Sequence, residues 1–254
     1  MRLLKGLYIA LSMYSRIPVP HVNWTEEDMK YALCFFPVVG IAEGLVFAGI
    51  WILLDSAGFG TLFRAAILTA VPVLLTGGIH VDGFLDTMDA LSSWQPKERK
   101  LEILKDSHTG AFAIIGGIVY FVLYLGAVSE LSHLRAVGLA ACGFVLSRIL
   151  SAGALVTLRG AKRDGMAYTF MSAAHKCVTR AVLMAELLLT VGAASCIWFS
   201  GAMVMCAAAA GTWLYYRRVA YKQFGGITGD LAGFFLQLCE LLMLYAVVLI
   251  PASL

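Results

Sequence analysis

Apolar residues in this chain come in long blocks, not in the two-residue alternation of a half-buried strand. Seven blocks stand out, at roughly 33–54, 62–81, 110–129, 136–157, 181–199, 202–219 and 231–250. Each approaches the ~20 residues that a helix needs to cross a bilayer. The pattern predicts an all-α fold, a polytopic membrane helix bundle of about seven transmembrane spans. It forms one integral membrane domain over residues 1–254, with no internal repeat, low-complexity tract or separate soluble domain. The sixth block is the least hydrophobic and ends in an aromatic and basic cluster, Tyr215–Arg218. Residues 1–30 predict a short apolar helix in or on the interface and a turn at Pro18 and Pro20. A helix start follows at Thr25, with Glu26, Glu27 and Asp28 in its first turn.

The segments between blocks alternate in sign. Residues 1–32, 82–109, 158–180 and 217–230 hold nearly all the Lys and Arg, and the intervening loops almost none. The positive-inside rule puts the N-terminus and these basic segments in the cytoplasm and the C-terminus outside. Composition agrees: 60% of residues are hydrophobic and 14% charged, against about 25% charged in soluble domains. The formal charge of +3 is too small to argue for a nucleic-acid partner, so none is expected. Six cysteines without a CxxC pair read as reduced, buried small hydrophobes. No cleavable signal peptide is expected, because the apolar stretch 3–13 runs into Arg16 and two prolines.

Candidate chemistry concentrates in residues 74–93, LLTGGIHVDGFLDTMDALSS. If 82–89 is helical, Asp82, Asp86 and Asp89 share an arc of roughly 60°, with Ser93 on the same stripe. Carboxylates converging at a membrane edge repel one another unless a cation neutralises them. Mg2+ held by one or two carboxylates and substrate phosphates suits such donors. The plainer reading is a solvated first turn favoured by the helix dipole. Gly77, Gly78 and Gly83 admit close backbone approach. His80 reads equally as an interfacial core histidine or a substrate contact.

In 96–110, Pro96 suits a helix N1 position, Leu101 and Leu104 give a membrane-facing edge, and Asp106 precedes Ser107 and Gly110. A charged interfacial helix explains most of this stretch, and Asp106 remains a site candidate. In 223–242, Gly225, Gly226 and Gly229 feed the last span, with Thr228 or Asp230 as N-cap. Free N–H groups there suit a phosphate. Glu240 lies inside that span, as Glu43, Arg148 and Glu186 lie inside others, and intramembrane charges are functional candidates by default. Glu43, Glu186 and Arg148 could also pair with one another as structure. The basic stretch 159–180, with Arg163, suits lipid headgroups or a nucleotide diphosphate. Spacing of Gly40 and Gly44 permits close helix packing, and assembly into a homo-oligomer stays open among the partners.

Several motifs together resemble the cobalamin synthase family, adenosylcobinamide-GDP ribazoletransferase. They are SRIPVP (15–20), FFPVVG (35–40), TGGIHVDGFLDTMDALSS (76–93), RKLEILKDSHTGAFA (99–113), SRILSA (147–152) and GGITGDLAGFFLQLCEL (225–241). The resemblance implies a Mg2+-dependent enzyme of the bacterial cytoplasmic (inner) membrane. It would join α-ribazole, or its 5′-phosphate, to adenosylcobinamide-GDP with release of GMP, the ribazole 5′-oxygen attacking phosphorus. It implies Asp82, Asp86 and Asp89 as catalytic and metal residues. His80, Asp106, Asp230 and Glu240 map onto further family motifs, and Arg148, Arg163, Gly225, Gly226 and Thr228 join them as candidate substrate contacts. The chain departs from the family at Ala90 and Ala167, where Gly is usual. Rival readings are another Mg2+-dependent membrane phosphotransferase or prenyltransferase, or an ion-coupled transporter using Glu43, Glu186 and Glu240.

Overall fold

The structure is a computed structural model that describes residues 2–20, 23–106 and 108–250, without the Arg2 side chain. Twelve α-helices carry the fold among these residues. In chain order they are α1 (Arg2–Tyr14), α2 (Glu26–Met29), α3 (Phe36–Ser56), α4 (Thr61–Thr76), α5 (Ile79–Ser92) and α6 (Lys97–Ile103). There follow α7 (Ala111–Ser129), α8 (Leu134–Thr157), α9 (Gly165–Ala173), α10 (Lys176–Ile197), α11 (Phe199–Val219) and α12 (Gly229–Val248). A 3-10 turn, Ala32–Phe35, opens α3, and a π-turn, Ala220–Phe224, extends α11. The protein is an all-α polytopic membrane protein. Five helices (α3 with its 3-10 turn, α7, α8, α10 and α12) are long and apolar enough to cross a bilayer. α4 and α5 make a sixth only as a pair bent by 96°.

That bend revises the expected second span. Residues 62–81 do not form one helix: α4 stops at Thr76, and Gly77 (φ 66°) and Gly78 (φ 79°) are both left-handed. Two successive left-handed residues are cheap only for glycine, so the chain turns there. α5 leaves the direction of α4 and lies against the N-terminal parts of α7 and α12, outside the spanning set.

α8 and α12 form the buried centre, and α10 is the most exposed long helix. α3 packs closely on α8 because Gly40 and Gly44 face it. A Cβ on Gly40 would lie 2.5 Å from the Phe144 carbonyl oxygen, and one on Gly44 2.8 Å from that of Ala141. The close helix packing that the Gly-x-x-x-Gly spacing permits is thus used within the chain.

The four basic segments are tied together at one end of the bundle. Lys100 Nζ donates to Gln223 Oε1 (2.6 Å), Lys162 Nζ to the Leu101 carbonyl (2.6 Å), and Lys105 Nζ contacts Asp164 Oδ2 (2.7 Å). The His175 N–H donates to the Lys30 carbonyl. A β-bridge between Gly160 and Ile227 joins the third segment to the fourth. The interfacial α1 is present as expected, and Lys5 reaches Asp28 at 3.1 Å to bind it to α2. Two details differ from expectation. Leu104 is buried in the core and gives no lipid-facing edge, and Cys177 and Cys196 are exposed while Cys34 and Cys239 are buried.

Gly40→Val should lower folding stability by about 1–3 kcal/mol through overpacking. Thermal unfolding in detergent checks this, and an unchanged midpoint would contradict the α3–α8 contact.

Candidate active site

The acidic stretch is helical, as its spacing predicts, because α5 runs unbroken from Ile79 to Ser92 with Asp82 in its first turn. Glycines set its distance from α12. A Cβ on Gly83 would lie 2.8 Å from the Asp230 carbonyl oxygen, and one on Gly233 2.8 Å from that of His80. The two backbones therefore touch, and the polar stripe of α5 comes beside the start of α12. Thr228 caps that start, its hydroxyl accepting from the Leu231 N–H at 3.2 Å. It also donates to Asp230 Oδ2 at 3.4 Å.

Asp82 is exposed, and Asp86 and Asp89 are half-buried. Partial burial, then the charges of Asp82, Asp230 and Asp89, push the Asp86 carboxyl up to about 6. Four carboxylates therefore act on one another, and Lys162 offsets part of that charge at Asp230. Asp89 turns to the loop before α7, where its carboxylate leaves no room for a side chain at Gly110.

Two cavities meet under this cluster, sharing Met166, Ala167, Gly229 and Asp230. One, of about 200 Å³, is lined by Tyr14, Phe36, His80, Asp82 and Ser151 among others. The second, of about 210 Å³, holds Lys105, Lys162, Asp164 and Thr228. Burial and the neighbouring Lys105 hold the Lys162 ammonium below the ordinary lysine range. A third hollow, of about 360 Å³, shares Lys162 and collects Arg159, Arg163 and Lys176.

The donor set fits a hard divalent cation. Among the described residues, no three His, Cys, Asp or Glu side chains are gathered closely enough to cage an ion unaided. Mg2+ does not require such a cage: one or two carboxylates suffice, with waters and substrate phosphates completing the shell. The mutual repulsion at Asp86 is what a dication there would relieve.

The remaining predicted residues are placed as follows. Gly225 takes a left-handed turn (φ 78°), and Gly226 lies against the backbone of Arg159–Ala161. Both hold the loop shape behind the second cavity and do not line it. Asp106 is exposed and accepts from the His108 N–H at 3.0 Å, and Ser107 lies outside the described residues. Arg148 is fully buried, with Nη2 at 2.5 Å from Glu43 and Nη1 at 2.8 Å from Glu240. Ser147 also donates to Glu240, at 2.8 Å. This network lies in the helix core and lines neither cavity. Glu186 is on α10, apart from it. Sequence reasoning counted Lys105 only as a loop cation, took Lys162 only as part of the basic stretch 159–180 suited to headgroups or a diphosphate, and gave Ser151 no role. The Lys residues carried a signal in their clustering, whereas a lone Ser in an apolar span carried none.

Residues 6–248 match the family described as Cobalamin-5-phosphate synthase. The chain belongs to this synthase family. A relative from Lachnoclostridium phytofermentans, named adenosylcobinamide-GDP ribazoletransferase, is 46% identical over 98% of this chain and 95% of its own length. Relatives of the same name from Desulfitobacterium hafniense (34% over 95% of each chain) and Clostridium botulinum (32% over 96% and 97%) are similarly complete. No solved structure matches. In this synthase the family departure Ala167 lines both cavities, and Ala90 is fully buried.

Two stability predictions follow from these charges. Asp86 holds its proton more tightly than an ordinary carboxyl of 3.8, so its ionisation opposes folding. Its contribution is full below that value and is lost as pH rises to about 6. Without divalent ions at pH 7.5, Asp86→Asn should melt above the wild type, and the gap should close below pH ~4. Excess Mg2+ should raise the wild type's midpoint more than the variant's. Glu43→Ala should cost about 3–5 kcal/mol, since it strands half of a buried guanidinium pairing. Denaturation in detergent measures both, and a silent Glu43→Ala would contradict the buried network.

Proposed function

We propose that the acidic groove between α5 and α12 is the active site in which the chain joins α-ribazole, or its 5′-phosphate, to adenosylcobinamide-GDP, releasing GMP. The observation that carries the assignment to this groove is the meeting of two cavities at Asp230. One is walled by aromatic and apolar groups, the other carries lysines, and the Asp82–Asp86 face of α5 lies beside them. The activity itself is that of the family, ribazole transfer to adenosylcobinamide-GDP, and the relatives carry its name across nearly their whole length.

The chemistry is transfer of the cobinamide-side phosphoryl group from GMP to a ribose oxygen. A product named for its 5-phosphate keeps that position occupied, so a ring hydroxyl of the ribose attacks, not the 5′-oxygen. The new O–P bond forms as the bond to the bridging oxygen breaks, GMP leaves with that oxygen, and the hydroxyl proton passes to a carboxylate of the cluster. Such transfers ask the protein chiefly for alignment and charge neutralisation. Lys105 and Lys162 hold the diphosphate, and Thr228 and the α12 N-terminus orient it. Asp82, Asp86 and Asp230 would hold Mg2+, with Asp89 positioned against Gly110 to shape the approach. Bound Mg2+ would neutralise the diphosphate and the departing charge. Arg148, Glu43 and Glu240 hold α3, α8 and α12 together; paired in this way, they are no free relay for an ion-coupled transporter. Under the positive-inside rule the basic segments would face the cytoplasm, with this groove on that side of the bacterial inner membrane.

Purified protein in nanodiscs, given Mg2+, α-ribazole and adenosylcobinamide-GDP, should release GMP in step with cobalamin formation. Asp86→Asn should lower kcat on the order of 100-fold, and a chelator should stop turnover. Lys162→Ala should raise KM for adenosylcobinamide-GDP on the order of tenfold. Near-normal turnover by Asp86→Asn would remove that carboxylate from the site.

A further inference from the structure

Within the helices, beside the acidic face, lies a cavity of about 200 Å³ with an unusual balance of walls. Tyr14, Phe36 and His80 pack as a cluster of rings. Tyr14 stacks on His80 (centroids 6.1 Å, planes 21° apart), and Phe36 meets Tyr14 at 4.4 Å and His80 at 5.8 Å. Leu155 and Leu236 supply apolar surface from α8 and α12. Two polar atoms on this lining are buried with no protein partner: Nε2 of His80 and Oγ of Ser151, in residues 4% and 1% exposed. A buried polar atom left unpaired costs roughly 1–3 kcal/mol, so a pair in one cavity marks a place where a ligand supplies the missing partners. A hydroxyl can donate or accept, and an imidazole nitrogen does one or the other according to its tautomer.

We propose that this cavity is the seat of the heteroaromatic base of α-ribazole, with the Ser151 hydroxyl donating to its free ring nitrogen and His80 meeting the base–ribose edge. The inference rests on the transferase reading above and assigns the substrates to the two cavities. A dimethylbenzimidazole has one hydrogen-bonding nitrogen, a flat bicyclic face and two methyl groups. That chemistry matches ring walls, leucines and two unpaired polar atoms. Guanine carries polar groups around most of its edge, and several would be stranded here at the same cost per group. The corrin macrocycle is far larger than the cavity. Asp82 and Asp230 form part of the cavity wall, so a base seated among the rings and leucines would bring its ribose to the carboxylates. The lysine-bearing cavity across Asp230 is left for the diphosphate.

The test is a kinetic split between the two substrates in nanodiscs with Mg2+. Ser151→Ala should raise KM for α-ribazole on the order of tenfold and leave KM for adenosylcobinamide-GDP unchanged. The Ki of phenyl riboside as a competitor, which has no ring nitrogen, should not move, and a merely structural role for Ser151 would not spare it. Leu155→Phe, one turn further along α8 on the same lining, supplies the same comparison if Ser151→Ala does not fold. By narrowing the cavity it should weaken α-ribazole more than an unmethylated benzimidazole riboside. A rise in KM for adenosylcobinamide-GDP, or no change for either substrate, overturns the assignment. Direct titration of α-ribazole onto wild type and Ser151→Ala separates the two claims. Selective loss of binding supports the cavity even if the pair is not turned over, and equal binding refutes it while turnover stands.

Discussion

Everything at the candidate site depends on how closely α5 can approach α12. Gly83 and Gly233 allow the two backbones to touch, each at a carbonyl of the other helix. Without that contact Asp86 would not feel Asp230, and the two cavities would not share a wall. The contact in turn requires the sharp exit from α4, which two left-handed glycines provide. The site is thus made by a helix that stops short of being a plain span. Close approach concentrates negative charge, and the charge is useful only if a cation and a diphosphate compensate it.

A second set of charges solves the opposite problem. Arg148 lies between Glu43 and Glu240 in the helix core, fully buried and paired on both sides. Buried ion pairs are weak sources of stability but costly to break, and this one joins α3, α8 and α12. The Gly40–Gly44 contact brings α3 onto the same central helix. In the core each carboxylate therefore meets a guanidinium directly, whereas in the groove beside it Asp86 faces chiefly other carboxylates. That difference is the physical distinction between a structural and a functional carboxylate in this chain.

Much of this was legible in the sequence, and the parts that were not have definable causes. The helix bundle followed from block length, and the boundaries of α7, α8 and α12 fell within two residues of the expected ones. The stripe of Asp82, Asp86 and Asp89 followed from helical spacing alone. The 96° bend did not, because glycines permit a turn without giving its angle. Asp89 turning to Gly110, Asp106 facing outward and Leu104 turning inward all depend on tertiary neighbours that no local pattern encodes. Arg148 and Glu240 looked like substrate contacts because intramembrane charges usually mark function, whereas here they satisfy one another. Ser151 was invisible because a hydroxyl in an apolar span is ordinarily absorbed by the preceding turn of its helix.

The central claim is that Asp86 and Asp230, from different helices, serve one divalent ion. An electron paramagnetic resonance titration of Mn2+ onto the protein in nanodiscs, with GDP present, tests it most directly. The account predicts that Asp86→Asn and Asp230→Asn each weaken the same bound ion and that the double variant loses no further class of site. Two Mn2+ sites lost independently, or one retained in the double variant, would contradict it.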